Sequence, residues 1–93
     1  MSAPVLEYGK YVNATATGNV TTSSKGVLVG FYVNSTTAGT IVLRDGGASG
    51  TVMCGTITPA IGFHRFPAAF TNGLHVTVGG TLDVTFFVVE GQN

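Results

Sequence analysis

A strict two-residue alternation is the feature that most constrains what this chain can become. In Gly26–Asn34, Val27, Val29, Phe31 and Val33 take every second position, with Leu28, Gly30 and Tyr32 between them. Successive side chains of a strand point to opposite faces, so this spacing predicts a β-strand. The same period runs through Ile41 and Leu43 in Thr40–Asp45, through Leu74, Val76 and Val78, and through Leu82, Val84, Phe86 and Val88. No segment shows a convincing helical stripe. Glycine clusters punctuate the chain at intervals of roughly ten residues, as an all-β sandwich or barrel requires. The chain has 93 residues, a length that suits one domain with one small core. The expectation is a single all-β domain over residues 1–93, with residues 1–20 read either as part of it or as an arm or edge strand pairing with a neighbour.

Register follows from keeping one face dry, because a one-residue slip turns a strand inside out. Val33 is expected opposite Ile41 and Phe31 opposite Leu43, which makes Ser35–Gly39 a hairpin loop of ordinary length. Near the C-terminus, a Gly79-Gly80-Thr81 loop sets Val78 opposite Leu82, Val76 opposite Val84 and Leu74 opposite Phe86. A two-residue Gly79-Gly80 turn would instead set Val76 against Asp83. Thr51–Thr58 reads as a further strand. Pro59 and Pro67 bracket a short extended piece, since each disfavours helix before it and donates no ladder hydrogen bond. Tyr8–Val12 and Ala14–Val20 complete the set. About seven to eight strands predict a compact antiparallel β-sandwich with jelly-roll or immunoglobulin-like connections.

Charge narrows the list of partners. Four Lys and Arg balance four Asp and Glu, and charged residues make up only 9% of the chain, far below the usual quarter or so. A phosphate backbone needs a cluster of cations, so nucleic acid is not an expected partner. No apolar run reaches the ~18 residues of a membrane span. The start, Met1-Ser2-Ala3-Pro4, lacks the basic and apolar regions of a signal peptide, so synthesis in a cytoplasm is expected. Three Asn-X-Thr or Asn-X-Ser/Thr-type matches, at Asn13, Asn19 and Asn34, are read as chance in a chain this rich in Asn, Ser and Thr.

The residues that could carry chemistry are few. His64 and His75 are the only imidazoles. His75 is expected on a polar outer face, opposite Thr85 with Asp83 diagonal to it, too loose for a catalytic dyad. His64, between Phe63 and Arg65-Phe66, reads as structural or as part of an interface. Glu7, Asp45, Asp83 and Glu90 lie far apart, with no pairing suited to glycoside hydrolysis. Asp45-Gly46-Gly47-Ala48-Ser49-Gly50 lacks the Lys-Ser/Thr and the helix of a phosphate loop and reads as a turn. Cys54 is alone, which excludes an internal disulfide, and a zinc site lacks ligands; the thiol reads as a small buried hydrophobe. Neither an enzyme, a metal nor a cofactor is expected.

Two outer-face features remain. Leu28, Tyr32 and Val42 are expected on the outer face of the first hairpin, with Arg44 opposite Gly30 and able to lie across Tyr32. Phe86-Phe87-Val88-Val89 is apolar on both faces and so needs cover on both. That cover comes either from the rest of the chain or from a neighbouring subunit, and the missing charge favours the neighbour. The candidate interface is Leu28, Tyr32, Val42, Arg44, His64, Arg65, Phe66, Phe87 and Val89.

The runs Gly26-Val27-Leu28-Val29-Gly30-Phe31-Tyr32-Val33-Asn34 and Thr40-Ile41-Val42-Leu43-Arg44-Asp45 resemble small virion structural proteins of tailed bacteriophages. Ile57-Thr58-Pro59-Ala60-Ile61-Gly62-Phe63-His64-Arg65-Phe66-Pro67 and Gly73–Thr85 are similar to theirs too, so the resemblance spans roughly Gly26 to Phe87. It implies a protein that decorates or cements a capsid as a symmetric homo-oligomer, a trimer by analogy, with the major capsid protein or another virion lattice as partner and the virion as its location. A tail, fibre or head–tail component is the nearest alternative. Met1–Glu7 and the C-terminal strand are expected to touch another chain. The rival from a different class is a carbohydrate-binding β-sandwich module, which would need Tyr8, Tyr11 and Tyr32 clustered around an open cleft. The resemblance transfers no catalytic residue.

Overall fold

The computed structural model describes residues 10–22 and 24–90. They form six strands: β1 (Lys10–Ala14), β2 (Gly18–Asn19), β3 (Gly26–Asp45), β4 (Thr51–Ile57), β5 (Gly62–Phe70) and β6 (Leu74–Glu90). All pair antiparallel in one open sheet. The chain is all-β, as its periodicity predicts.

Neither expected hairpin exists. Gly26–Asp45 is one strand of 20 residues and Leu74–Glu90 one of 17. The two pair with each other from Gly26↔Glu90 to Asp45↔Leu74. Val33 therefore faces Val84, not Ile41, and Val76 faces Leu43, not Val84. The strand count falls to six among the described residues, because each expected hairpin is a single long strand. β3 has three residues more than β6, and the ladder absorbs them at three irregularities, between Leu28 and Gly30, Val33 and Ser35, and Thr37 and Thr40.

The third irregularity explains why the turn signals misled. Ser35–Gly39 and Gly79–Thr81 lie across the ladder from each other, with Thr36 opposite Leu82, Thr37 opposite Thr81 and Thr40 opposite Gly79. Ala38 has φ 55° and Gly80 φ 67°, and Thr36 Oγ1 accepts a hydrogen bond from Gly39 N at 3.0 Å. Facing each other, the two turn-prone segments bend one ribbon instead of reversing two chains, since bulges raise local bend and twist. A straight strand of 20 residues would run to ~66 Å, yet the longest dimension of the molecule is 46 Å.

The bend brings the ends of β3 together. Phe70 pairs with Gly26 at one end. The next residues, Thr71 and Asn72, donate their backbone N–H groups to the Asp45 carboxylate at the other, at 3.0 and 2.7 Å. Gly73 N donates to Ser24 O and Gly46 N to Gly73 O. The concave side then holds one core, in which Leu28, Phe31, Val33, Val84, Phe86 and Val88 from one end of the ribbon meet Ile41, Leu43, Leu74 and Val76 from the other.

Shorter strands flank the ribbon in tandem. On the β3 side, β5 pairs with residues 26–33 and β4 with residues 41–45. On the β6 side, β1 pairs with residues 84–88 and β2 with residues 75–76. Gly46–Gly50, read as a turn, closes the β3–β4 hairpin between Asp45 and Thr51. Ala14–Val20 is not one strand: Thr15–Thr17 bend between β1 and β2. Pro67 does not end an extended piece but lies inside β5, where Phe66-Pro67 face the single residue Val29 in an irregular stretch. Such a position on a flanking strand suits a residue with no N–H to donate.

Candidate functional site

The convex face of the β1–β6–β3–β5 end is built by register. Residues directly opposite in an antiparallel pair share a face. One row reads Asn13, Thr85, Tyr32, Phe63 across the four strands, and the next reads Tyr11, Phe87, Gly30, Arg65. A third holds Val89, Val27 and Ala69. Tyr11 is 74% exposed, Phe63 53% and Tyr32 42%, while Phe87 and Val89 are half-buried. Single exposed apolar residues are ordinary, but a contiguous apolar patch marks an interaction surface.

Gly30 sits at the centre of this face because it carries no side chain. A Cβ there would lie 2.9 Å from Phe63 Cζ and 2.6 Å from His64 O. The Phe63 ring leans across the gap onto Phe87, with centroids 6.1 Å apart. Beside the aromatics lies a polar cluster. Asn13 Nδ2 and Asn34 Nδ2 donate to the same Asp83 oxygen, Oδ1, at 2.6 and 3.2 Å. The same two amides also donate to Thr85 Oγ1, at 3.2 and 3.0 Å.

The structure divides the nine expected interface residues. Tyr32, Arg65, Phe87 and Val89 share the convex face. Leu28 does not: it is fully buried. The extra residue Val29 shifts the phase of β3, so that Leu28 faces inward with Phe31 and Val33, while Val27 and Val29 are exposed. Phe66 and His64 alternate to the inner side of β5. Phe66 packs on the core. The His64 ring stacks on Phe31 at 5.2 Å, and its Nε2 lies 2.7 Å from Ala60 O. Val42 and Arg44 belong to the other end of the ribbon. Arg44 is opposite His75 and Val52, not Gly30, and cannot lie across Tyr32.

His75 is buried, not displayed on an outer face, and its cross-strand neighbours are Arg44 and Asn19 in place of Thr85. Its Nδ1 and Arg44 Nε are both buried without a hydrogen-bond partner; Arg44 Nη1 reaches Gly50 O at 3.4 Å. No carboxylate stands among these partners of either histidine. Cys54 is half-buried against the core, opposite Leu43. A cleft of about 340 Å³, lined by Asn19, Thr21, Ser24, Gly46 and Asn72 among others, lies where the ends of the sheet meet. Its side chains are polar and uncharged.

Sequence reasoning missed Tyr11, Phe63, Val27 and Val29 as members of the exposed face. Two of them were within reach, since Phe63 alternates with Arg65 and Tyr11 with Asn13. Val27 and Val29 were not, because only the bulge sends them outward. Tyr8 and Met1–Glu7 lie outside the described residues, so the cluster of three tyrosines is represented by Tyr11 and Tyr32 on one face. No protein-family model matches the chain, and no curated protein and no solved structure matches it significantly.

Proposed function

We propose that this chain is a structural protein of a bacteriophage virion, a capsid decoration or cement protein that binds the assembled head as a symmetric homo-oligomer. The observation that carries the reading is the convex face, where Tyr11, Val27, Val29, Tyr32 and Phe63 are exposed together on a chain with no net charge. Such a face loses little and gains much on being covered, whereas a free monomer exposing it risks aggregation. The resemblance of Gly26–Phe87 to small virion proteins of tailed bacteriophages supplies the kind of assembly and the expected partner, a major capsid protein or other virion lattice. It also favours a trimer. The scaffold is read as sandwich-like, its two layers being the two ends of the folded sheet. Binding to the folded form alone would add to stability by mass action.

The test is co-sedimentation of the purified protein with purified phage heads and, separately, tails. Saturable binding to heads is expected, together with a rise in the melting temperature of the bound protein. Binding to tails alone moves the protein to the tail, fibre or head–tail reading; binding to neither sinks the virion assignment. One observation favours a carbohydrate-binding module instead: Tyr11, Tyr32 and Phe63 form an aromatic surface beside the acceptors of Asn13, Asn34 and Asp83. Retardation in gels containing a soluble neutral polysaccharide, with no binding to heads, would establish that reading.

A further inference from the structure

Among the strand residues that the register places on the convex face, the charged ones are Arg65 and Asp83, and their positions make the face complementary to itself. Arg65 lies on β5 level with Gly30 and Phe87, two strands from β6. Asp83 lies on β6, toward the bend from Phe87. With strands ~4.8 Å apart and a rise of ~3.4 Å per residue, the two positions are ~17 Å apart and Tyr32 falls at their midpoint. On the same lattice Tyr11, level with Phe87 on β1, is ~14 Å from each of them. Tyr11 and Tyr32 therefore lie on the line that bisects the Arg65–Asp83 separation.

We propose that this face is the two-fold interface of a homodimer. The proposal rests on reading the face as an assembly surface and specifies its occupant as a second copy of this chain. A two-fold axis along the Tyr11–Tyr32 line sets Arg65 of one copy over Asp83 of the second, and the reverse, as an isologous contact demands. Each tyrosine then meets its own symmetry mate. Asp83 is prepared for the pairing: Asn13 and Asn34 both hold Oδ1 and leave Oδ2 to a partner. With a formal charge of zero, two copies approach without net repulsion. An isologous two-fold contact pairs each copy with one other, so a trimer would have to form along the strand edges.

The experiment is a charge swap read by sedimentation equilibrium on the full chain, with circular dichroism to confirm folding. The wild type is expected to dimerise. Arg65→Asp and Asp83→Arg each bring like charges together twice per dimer and should weaken association on the order of tenfold or more. The double variant should recover most of the loss. Should Asp83→Arg fail to fold, Arg65→Asp and Tyr11→Ala decide, and both must weaken the dimer. A wild type that stays monomeric at ~100 µM, folded single variants that dimerise like the wild type, or a folded double variant no better than the singles would each overturn the proposal. Head binding is measured separately. A dimer that binds neither heads nor tails ends the virion reading alone, and a monomer that binds either ends the pairing alone.

Discussion

Gly30 is the residue on which the convex face most depends. It lets β5 approach β3 with the Phe63 ring lying over the backbone, and a Cβ there meets His64 O, which is held in the ladder, at 2.6 Å. Gly30→Ala should therefore cost ~1–3 kcal/mol, the range for overpacking, seen as a lower urea midpoint. Gly55→Ala is the control, because nothing lies within 4 Å of a Cβ there and its φ is not positive; its stability should be unchanged or raised by up to ~1 kcal/mol, with the midpoint unchanged or higher. Equal losses in both would show that close approach at Gly30 is not the cause. At this scale much was legible. Phe31, Val33, Ile41, Leu43, Leu74, Val76, Leu82, Val84, Phe86 and Val88 all face inward as their alternation predicts. Leu28 was misplaced because one inserted residue reverses the parity of everything before it, and no local property of Val29 announces that it is the one.

Among the elements, the bent β3–β6 ribbon matters most, and Asp45 is what ties its ends. The carboxylate accepts the N–H groups of Thr71 and Asn72 directly after β5 has paired with the far end of β3. Asp45→Ala removes a charged acceptor from two backbone donors and should cost ~1–3 kcal/mol, lowering the melting temperature by several degrees. Asp45→Asn retains one acceptor oxygen and should lose less. An unchanged melting temperature in the alanine variant would mean that the core alone closes the bend. The turn chemistry at Ser35–Gly39 and Gly79–Thr81 was legible as a break in each strand. Whether each break reverses the chain or both bend together depends on which segments face each other, and a hairpin reading considers each alone.

The molecule as a whole is dominated by pairing between distant parts of the chain. Among the described residues, β1 and β2 pair only with β6, and β6 pairs along its length with β3. Loop closure must precede nearly every ladder, so folding is expected in the millisecond-to-second range, measurable by stopped-flow after urea dilution; microsecond folding would contradict this topology. The candidate face was legible in part for the same reason. Tyr32, Phe87 and Val89 were placed outward by alternation, whereas Arg65 was named for an interface without being assigned a face. The gathering of Tyr11 and Phe63 beside them needed the partners of β1 and β5. The sequence by itself determined the all-β character, the inward set of most strands and the scarcity of charge, because each is a property of neighbours along the chain. Only the tertiary structure decided the strand partners, the bend, the burial of His75 and Leu28, and the composition of the convex face. Antiparallel strands of similar alternation satisfy one another equally well until the bulges and a shared core select one register.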